Sequence, residues 1–507
     1  MPGPDDTRLL GDERVKQGWR LLCGMRKGLG QGKSAEVTGG KGEALDLVQI
    51  VDGCLLAPEF QEKVATSGVK NWALAVDLGT TTVAGALVPL DGPAVDKVAG
   101  EIPPMYPDAV MNAQRDVGGL DVMSRIAGAS ESPEAFRVLR ERLLDTVGLL
   151  ARQLLKRYGV DPRAVKRVVL CGNTTMTYFF LGRDVSCLGQ YPFLPEDTGP
   201  FEVTGSFPGL PGKIRQWLFP TPGGFIGGDI VAGLLVTRRI APEQRVLFMD
   251  LGTNGELVAR EGDVYIAAGT AAGPAFEGAR ITCGSPAVKG AIESVRLSRT
   301  GLSVGVIGGG RGRSLCGSGL VDLVAGLLRT GGLVPDGQLR DPEDPAVKRV
   351  PVLAKRMYVD ASTGETRFHV AGKRGGGVWL SQRDAREFQL AVAAIRSGSR
   401  LLCTRLGGSY ASPDVVIMAG GYGFHLDVAS AVTVGLVPPG VSPQQVVRPG
   451  NTALAGAAVV ARDPGMAGIA ERLAARCAVI NLADLPGFAE VFVEAMTFPV
   501  SWDQGKE

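Results

Sequence analysis

From residue 72 onward, short apolar runs alternate along this chain with long stretches whose apolar positions recur every three or four residues, and that alternation predicts an α/β protein. Trp72–Val76 and Thr82–Val88 read as two strands hinged on a glycine turn. Val168–Cys171 reads as a buried strand leading into a turn at Gly172-Asn173-Thr174-Thr175-Met176. Between Glu134 and Tyr158, the residues Phe136, Leu139, Leu143, Val147, Leu150 and Leu154 form one apolar face of a long amphipathic helix. A second such helix spans Gln382–Leu406, with Phe388, Val392, Ile395, Ser399 and Leu402 inward and Ser381-Gln382-Arg383-Asp384 as its polar first turn. The run Gly450-Asn451-Thr452-Ala453-Leu454-Ala455-Gly456-Ala457-Ala458 starts a helix of very small residues, which suits close packing. Residues 1–70 are weakly periodic, with a polar, glycine-rich linker from Lys27 to Glu43 and a short apolar stretch at Leu45–Val51.

The most informative pattern is a repeat. An apolar run ending in Asp77-Leu78-Gly79-Thr80-Thr81-Thr82 recurs as Val246–Met249 followed by Asp250-Leu251-Gly252-Thr253-Asn254-Gly255. Each copy returns as a second strand, Val83–Val88 and Glu256–Ala259, so the chain divides into two related α/β halves. The expected organisation is an N-terminal segment and linker over 1–70, a first half over 71–240, a second half over 241–465 and a C-terminal extension over 466–507. Three glycine-rich segments follow the second copy: Gly269–Gly278, Gly308–Gly319 and Val415–Gly423.

Composition narrows the function. The 54 Lys and Arg against 52 Asp and Glu leave a net charge of +2, so no global field favours nucleic acid or an anionic membrane. The eight cysteines lie far apart with no C-x-x-C pair, and two histidines add little, which argues against a self-contained zinc or iron–sulfur site. No run of about 18 apolar residues occurs and the first thirty residues lack a signal-peptide core, so a soluble cytoplasmic protein is expected.

A carboxylate at the end of a buried strand is held in place to bind Mg²⁺ directly or through water. The glycine beside it admits a phosphate to the backbone, and amide N–H groups with the hydroxyls of Thr80, Thr81 and Thr82 donate to its oxygens. Two such turns in matched contexts, with Gly420 and Gly421 closing a third strand, point to a clamp for a polyphosphate. Asp77 and Asp250 are the leading metal and catalytic candidates, and Glu256 is placed to position an attacking water. Asp229, in Gly-Gly-Asp-Ile-Val-Ala-Gly, either binds Mg²⁺ through water or caps the helix that begins there.

These paired turns resemble the two phosphate-binding hairpins of the superfamily of sugar kinases, acetate kinase, actin and the heat-shock chaperones. Val415–Gly423 resembles its adenosine-binding loop, and Gly223–Leu235 and Gly450–Ala458 resemble its two interdomain helices. More narrowly, Gly172–Met176 with Phe179–Gly182 and Pro192–Pro195, GPAFEGA at 273–279, CGSGLVD at 316–322 and GNTALAGA at 450–457 are similar to the ATP-dependent reductive activators of corrinoid proteins.

The resemblance implies a two-lobed actin-like ATPase fold made of two ribonuclease H-like halves with a small N-terminal segment. It implies ATP and Mg²⁺ held by Gly79, Thr80, Thr81, Thr82, Gly252, Thr253, Asn254, Gly255, Gly420 and Gly421 together with Asp77, Asp229 and Asp250. It further implies an external low-potential electron donor, a homodimer, and a corrinoid protein of a methyltransferase system as the partner returned from Co(II) to Co(I). A known architecture of that family carries an N-terminal [2Fe–2S] domain ligated by four cysteines. Gly11–Cys23 resembles the closing segment of such a domain, with Cys23 matching the last ligand, but nothing upstream supplies the other three. The sequence leaves three readings of this: a fragment of a longer protein, a cluster on another subunit, or loss of the domain. Two other functions remain open, a small-molecule kinase of the same fold and a nucleotide-gated binding protein without redox activity.

Overall fold

A computed structural model describes residues 68–91, 102–103, 105–119, 121–238, 244–252, 255–373, 376–407, 413–438 and 440–499. They form two compact units. Each unit is assembled from several stretches of chain: Thr452–Leu473 belongs to the first unit, and Pro222–Ile226 and the chain from Ala474 onward belong to the second.

The first unit is built on a six-stranded sheet of β1 (Trp72–Leu78), β2 (Thr82–Pro89), β3 (Tyr106–Met111), β4 (Val165–Gly172), β5 (Phe201–Ser206) and β6 (Lys213–Leu218). The strand order is β3-β2-β1-β4-β6-β5. Strands β1 to β3 form an antiparallel meander, and β4 and β6 run parallel to β1. Period-two alternation gives the sheet two distinct faces. Trp72, Leu74, Val76 and Leu78 share one core with Leu143, Val147, Leu150 and Leu154 of helix α1 (Pro133–Tyr158). Each such buried side chain contributes roughly 1.5–3 kcal/mol. Ser132 and Pro133 open α1 and Gly159 closes it with φ 65°.

The opposite face of β1 carries Ala73, Ala75 and Asp77, small enough for a helix to lie close. Helices α3 (Gly228–Thr237) and α7 (Thr452–Arg462) pack in this unit, α7 against β1, β2 and β4. At Gly456 a side chain would overlap the backbone of Ala232, so the two helices touch main chain to main chain. The C-terminal carbonyls of α7, at Ala461 and Arg462, accept hydrogen bonds from the Arg167 guanidinium at 2.7 and 3.1 Å, which complements the negative end of the helix dipole.

The second unit repeats the plan. Its sheet comprises β7 (Val246–Leu251), β8 (Gly255–Glu261), β9 (Val264–Thr270), β16 (Val415–Ala419), β17 (Val446–Gly450) and β18 (Cys477–Val479), in the order β17-β16-β7-β8-β9-β18. Read from the meander outward, β9-β8-β7-β16-β17 matches β3-β2-β1-β4-β6, with β7 to β9 antiparallel and β16 and β17 parallel. Helix α5 (Gln382–Gly407) packs on β8 and β9 as α1 packs on β2 and β3. Its expected inner residues Phe388, Val392, Ile395, Ser399 and Leu402 are all buried, and its start is a reciprocal cap between Ser381 and Asp384. Two three-stranded sheets lie between β9 and β16 in sequence: β10 (Ala291–Leu297), β11 (Leu302–Val306) and β12 (Ser314–Leu315), then β13 (Met357–Val359), β14 (Thr366–Ala371) and β15 (Val378–Ser381). Helix α4 (Gly317–Thr330) packs on β10.

One local expectation changes. The segment after β4 is not an open turn: Asn173 caps helix α2 (Thr174–Leu181), accepting from the Met176 N–H at 2.9 Å. Thr174 through Phe180 are all buried, so the helix has no polar face and hence no amphipathic signal.

Candidate functional site

The first turn lies where β1 hands over to β2. Asp77 is buried at the end of β1, paired across the sheet with Ala84 on one side and Cys171 on the other. The Cys171 thiol stands 3.9 Å from Asp77 Oδ1 and 3.3 Å from the Ala453 carbonyl, so the carboxylate faces the side of the sheet covered by the first turn of α7. A side chain at Gly79 would overlap the Thr82 carbonyl, so the tight reversal requires glycine. Thr80 is buried and its hydroxyl accepts from Asn173 Nδ2 at 2.9 Å. Thr81 and Thr82 are half-buried, and Thr82 opens β2.

Asp229 belongs to the same unit. Gly227 passes so close to Asn173 Cα that a side chain there would overlap it, which brings Asp229, two residues on, to the neighbourhood of the residue that holds Thr80. The Asp229 carboxylate accepts from the Ile230 N–H at 2.8 Å in the first turn of α3. Burial pushes its pKa up to about 6.

The strands on either side of the second copy are paired as those of the first are. Asp250 sits on β7 opposite Glu256 on β8, and Gly255 pairs with Leu251 beside it. Thr270 Oγ1 donates to the Gly255 carbonyl at 2.8 Å. Asp250 also lies next to Ala419, in the parallel register of β16. Gly420, at φ 77°, then begins helix α6 (Gly420–His425), which also contains Gly421. A Cβ on Gly420 would overlap Asp250 Oδ1, so the backbone after β16 runs over the carboxylate itself. Gly252 forms the bend after β7, whereas Thr253 and Asn254 lie outside the described residues, as does Cys23.

The structure therefore gathers Asp77, Gly79, Thr80, Thr81, Thr82 and Asp229 in the first unit and Asp250, Gly252, Gly255, Glu256, Gly420 and Gly421 in the second. Sequence reading missed Asn112, which is fully buried behind the first turn, donating from Nδ2 to the Gly79 carbonyl at 3.0 Å and from its backbone N–H to the Thr81 carbonyl at 2.9 Å. Its only trace in the sequence is a polar residue directly after an otherwise ordinary strand.

The donor set fits a phosphate with a hydrated divalent ion. Each unit offers a strand-end carboxylate, Asp77 or Asp250, with a glycine at a point where a side chain would overlap, Gly79 in the first and Gly420 in the second. Among the described residues, no three His, Cys, Asp or Glu side chains come together as a metal cage. Mg²⁺ uses one or two carboxylates plus water and phosphate oxygens.

Two sheets that share a five-strand order, each with an Asp-Leu-Gly run at the end of its central strand, define an actin-like ATPase fold of the ASKHA class. Residues 244–504 match the family described as "C-terminal domain of RACo the ASKHA domain", and residues 72–239 match "RACo middle region". The chain belongs to the RACo family of reductive activators of corrinoid proteins. It is 33% identical over 429 residues to "Corrinoid activation enzyme RamQ" of Eubacterium limosum, covering 83% of this chain and 69% of that one. It is 24% identical over 405 residues to "[Co(II) methylated amine-specific corrinoid protein] reductase" of Methanosarcina barkeri, covering 76% and 68%. A solved structure named "Reductive activator for corrinoid,iron-sulfur protein" superposes with a TM-score of 0.71 at 29% identity, over 86% of this chain and 67% of that one. Among the described residues, no helix is long and apolar enough to cross a membrane.

Proposed function

We propose that this protein uses ATP to return an inactive Co(II) corrinoid protein to Co(I), taking one electron per cobalt from an external low-potential donor while ATP and water give ADP and phosphate. The observation that carries the reading is the repeated strand end: Asp77 and Asp250 occupy equivalent positions in the two halves, Gly79 makes the tight reversal after Asp77, and Gly420 passes over Asp250, neither glycine replaceable without overlap. The names of the relatives supply the corrinoid partner.

In this reading Asp77 and Asp229 in the first unit and Asp250 in the second are each carboxylates that would hold Mg²⁺ or its water. Mg²⁺, when bound, neutralises the charge that builds on the phosphates. The turn amides and the Thr80, Thr81 and Thr82 hydroxyls hold phosphate oxygens, Glu256 orients the attacking water, and the backbone at Gly420 and Gly421 passes against the nucleoside. The chain's contribution is positioning and charge neutralisation rather than covalent chemistry. The corrinoid stays on the partner protein, the working form is a homodimer, and the protein acts in the cytoplasm.

The test follows cobalt by absorbance. With a Co(II) corrinoid protein, a titanium(III) donor and this protein, Co(I) is expected to accumulate only when MgATP is present, and ATP turnover is expected to rise when the corrinoid protein is added. Equal reduction with and without ATP, across the corrinoid proteins encoded beside this gene, overturns the reading. Phosphorylation of a small hydroxyl or carboxylate substrate in its place would identify a kinase.

A further inference from the structure

Three polar side chains are buried behind the first turn where apolar ones would pack at lower cost. Asn112 occupies two of the turn's carbonyls, those of Gly79 and Thr81, through its side chain and its backbone N–H. Its Oδ1 accepts from the Gln114 N–H at 3.1 Å. Gln114, fully buried, donates from Nε2 to the Leu139 carbonyl on α1 at 3.0 Å and accepts at Oε1 from Arg125 Nη1 at 2.9 Å. Arg125 is also fully buried, and its Nε donates to the Gly119 carbonyl at 3.2 Å. The chain of bonds thus runs from a buried guanidinium, through an amide and a second amide, to the backbone of the turn. None of these three residues belongs to a motif that marks the turn: Asn112 and Gln114 lie in the segment directly after β3, and Arg125 lies in the helix Val122–Ser130.

What the three share is the turn they support. A carbonyl oxygen facing a phosphate repels it, whereas an amide N–H attracts it. With two of its carbonyls held on the Asn112 side, the turn is fixed in one arrangement before a ligand arrives, so less ordering remains to oppose binding. The guanidinium behind it adds positive potential in a water-poor setting, where charge is weakly screened.

We propose that Asn112 is the positioning residue of the first phosphate-binding turn, and that Gln114 and Arg125 act through it. The proposal rests on reading Asp77–Thr82 as a phosphate site. Its effect is selective: it concerns the phosphates and not the nucleoside.

The experiment compares MgATP and adenosine affinities of the full chain by competition with a fluorescent nucleotide, alongside thermal melting without ligand. Asn112→Asp keeps the shape and removes the Nδ2 donor. Its ATP affinity is expected to fall about tenfold with adenosine affinity unchanged, because one buried hydrogen bond has been replaced by a repulsion at the turn; the melting temperature falls with it, so both affinities are read well below the melting transition. Equal weakening of ATP and adenosine, or no change in either, overturns the proposal. If Asn112→Asp does not fold, Arg125→Lys, which keeps the charge but loses the forked donor, is read in the same way; a threefold loss confined to ATP supports the proposal and an unselective effect overturns it. Gly79→Val separates the two layers of inference. If it leaves ATP affinity intact, the phosphate reading itself fails; if it abolishes ATP binding while Asn112→Asp matches wild type, only the positioning role fails.

Discussion

Gly420 and Asp250 compete for the same space: the backbone that leaves β16 crosses the β7 carboxylate at the one point where any side chain would strike Oδ1. The crowding makes the first prediction. Gly420→Ala adds a methyl against Asp250 and forces an alanine to φ near 77°, a strain of about 1–2 kcal/mol before the overlap is counted. ATP turnover is expected to fall at least tenfold while far-ultraviolet dichroism keeps the native signature. Wild-type turnover would show that this approach has no part in nucleotide handling.

Asp250→Ala removes a partly exposed carboxylate at a strand end and leaves β7 paired on both sides. Nucleotide hydrolysis is expected to be lost, with the melting temperature within a few degrees of wild type. Hydrolysis at the wild-type rate in a purified Asp250→Ala sample would remove Asp250 from the site.

Packing between α3 and α7 gives a prediction about stability alone. Gly456→Val drives two methyl groups into the Ala232 backbone, which cannot move without displacing α3. A loss of about 3 kcal/mol or more is expected, at the upper end of overpacking costs. Chemical denaturation reads it out, and a loss below 1 kcal/mol would mean that the helices separate easily.

Asp322 sets a pH dependence. It lies buried on α4, accepts from the Val295 N–H at 3.1 Å and has Ser430 beside it. Burial raises its pKa above the ordinary carboxylate value of 3.8, and the nearby Asp427 pushes the same way. The folded state therefore holds the proton more tightly than the unfolded chain, and this group's cost appears as pH rises from about 4 through the raised value. Asp322→Asn removes that cost, since an amide keeps the acceptor for Val295 and offers its N–H to Ser430. A melting temperature about 2 °C above wild type is expected at neutral pH, with the gain vanishing below about pH 4. The same gain at both pH values would assign it to something other than ionisation.

The halves were legible because each hides one face of a helix and one face of a sheet. Leu143, Val147, Leu150 and Leu154 in α1, and Phe388, Val392 and Ile395 in α5, repeat at helical spacing for that reason. Asp77 and Asp250 were legible because the turn they precede is written twice. Asn112 carried no such mark: its partner Gly79 is a distant residue joined to it only when β3 pairs with β2. The edge strand β18 is three residues long and exists because β9 offers it a free edge in register. Helix α2 escaped because a segment buried on every side has no period to read.

The placement of α7 also dictates a schedule. The strands it covers emerge from the ribosome early, yet Thr452–Arg462 follows only after most of the second unit has been synthesised. At about 5–20 residues per second, that leaves the first sheet waiting on the order of ten seconds or more for its second covering layer. A chain released in that interval presents the bare alanine face of β1 to the cell, so a gene truncated between the two units would yield a chaperone client rather than a smaller working protein.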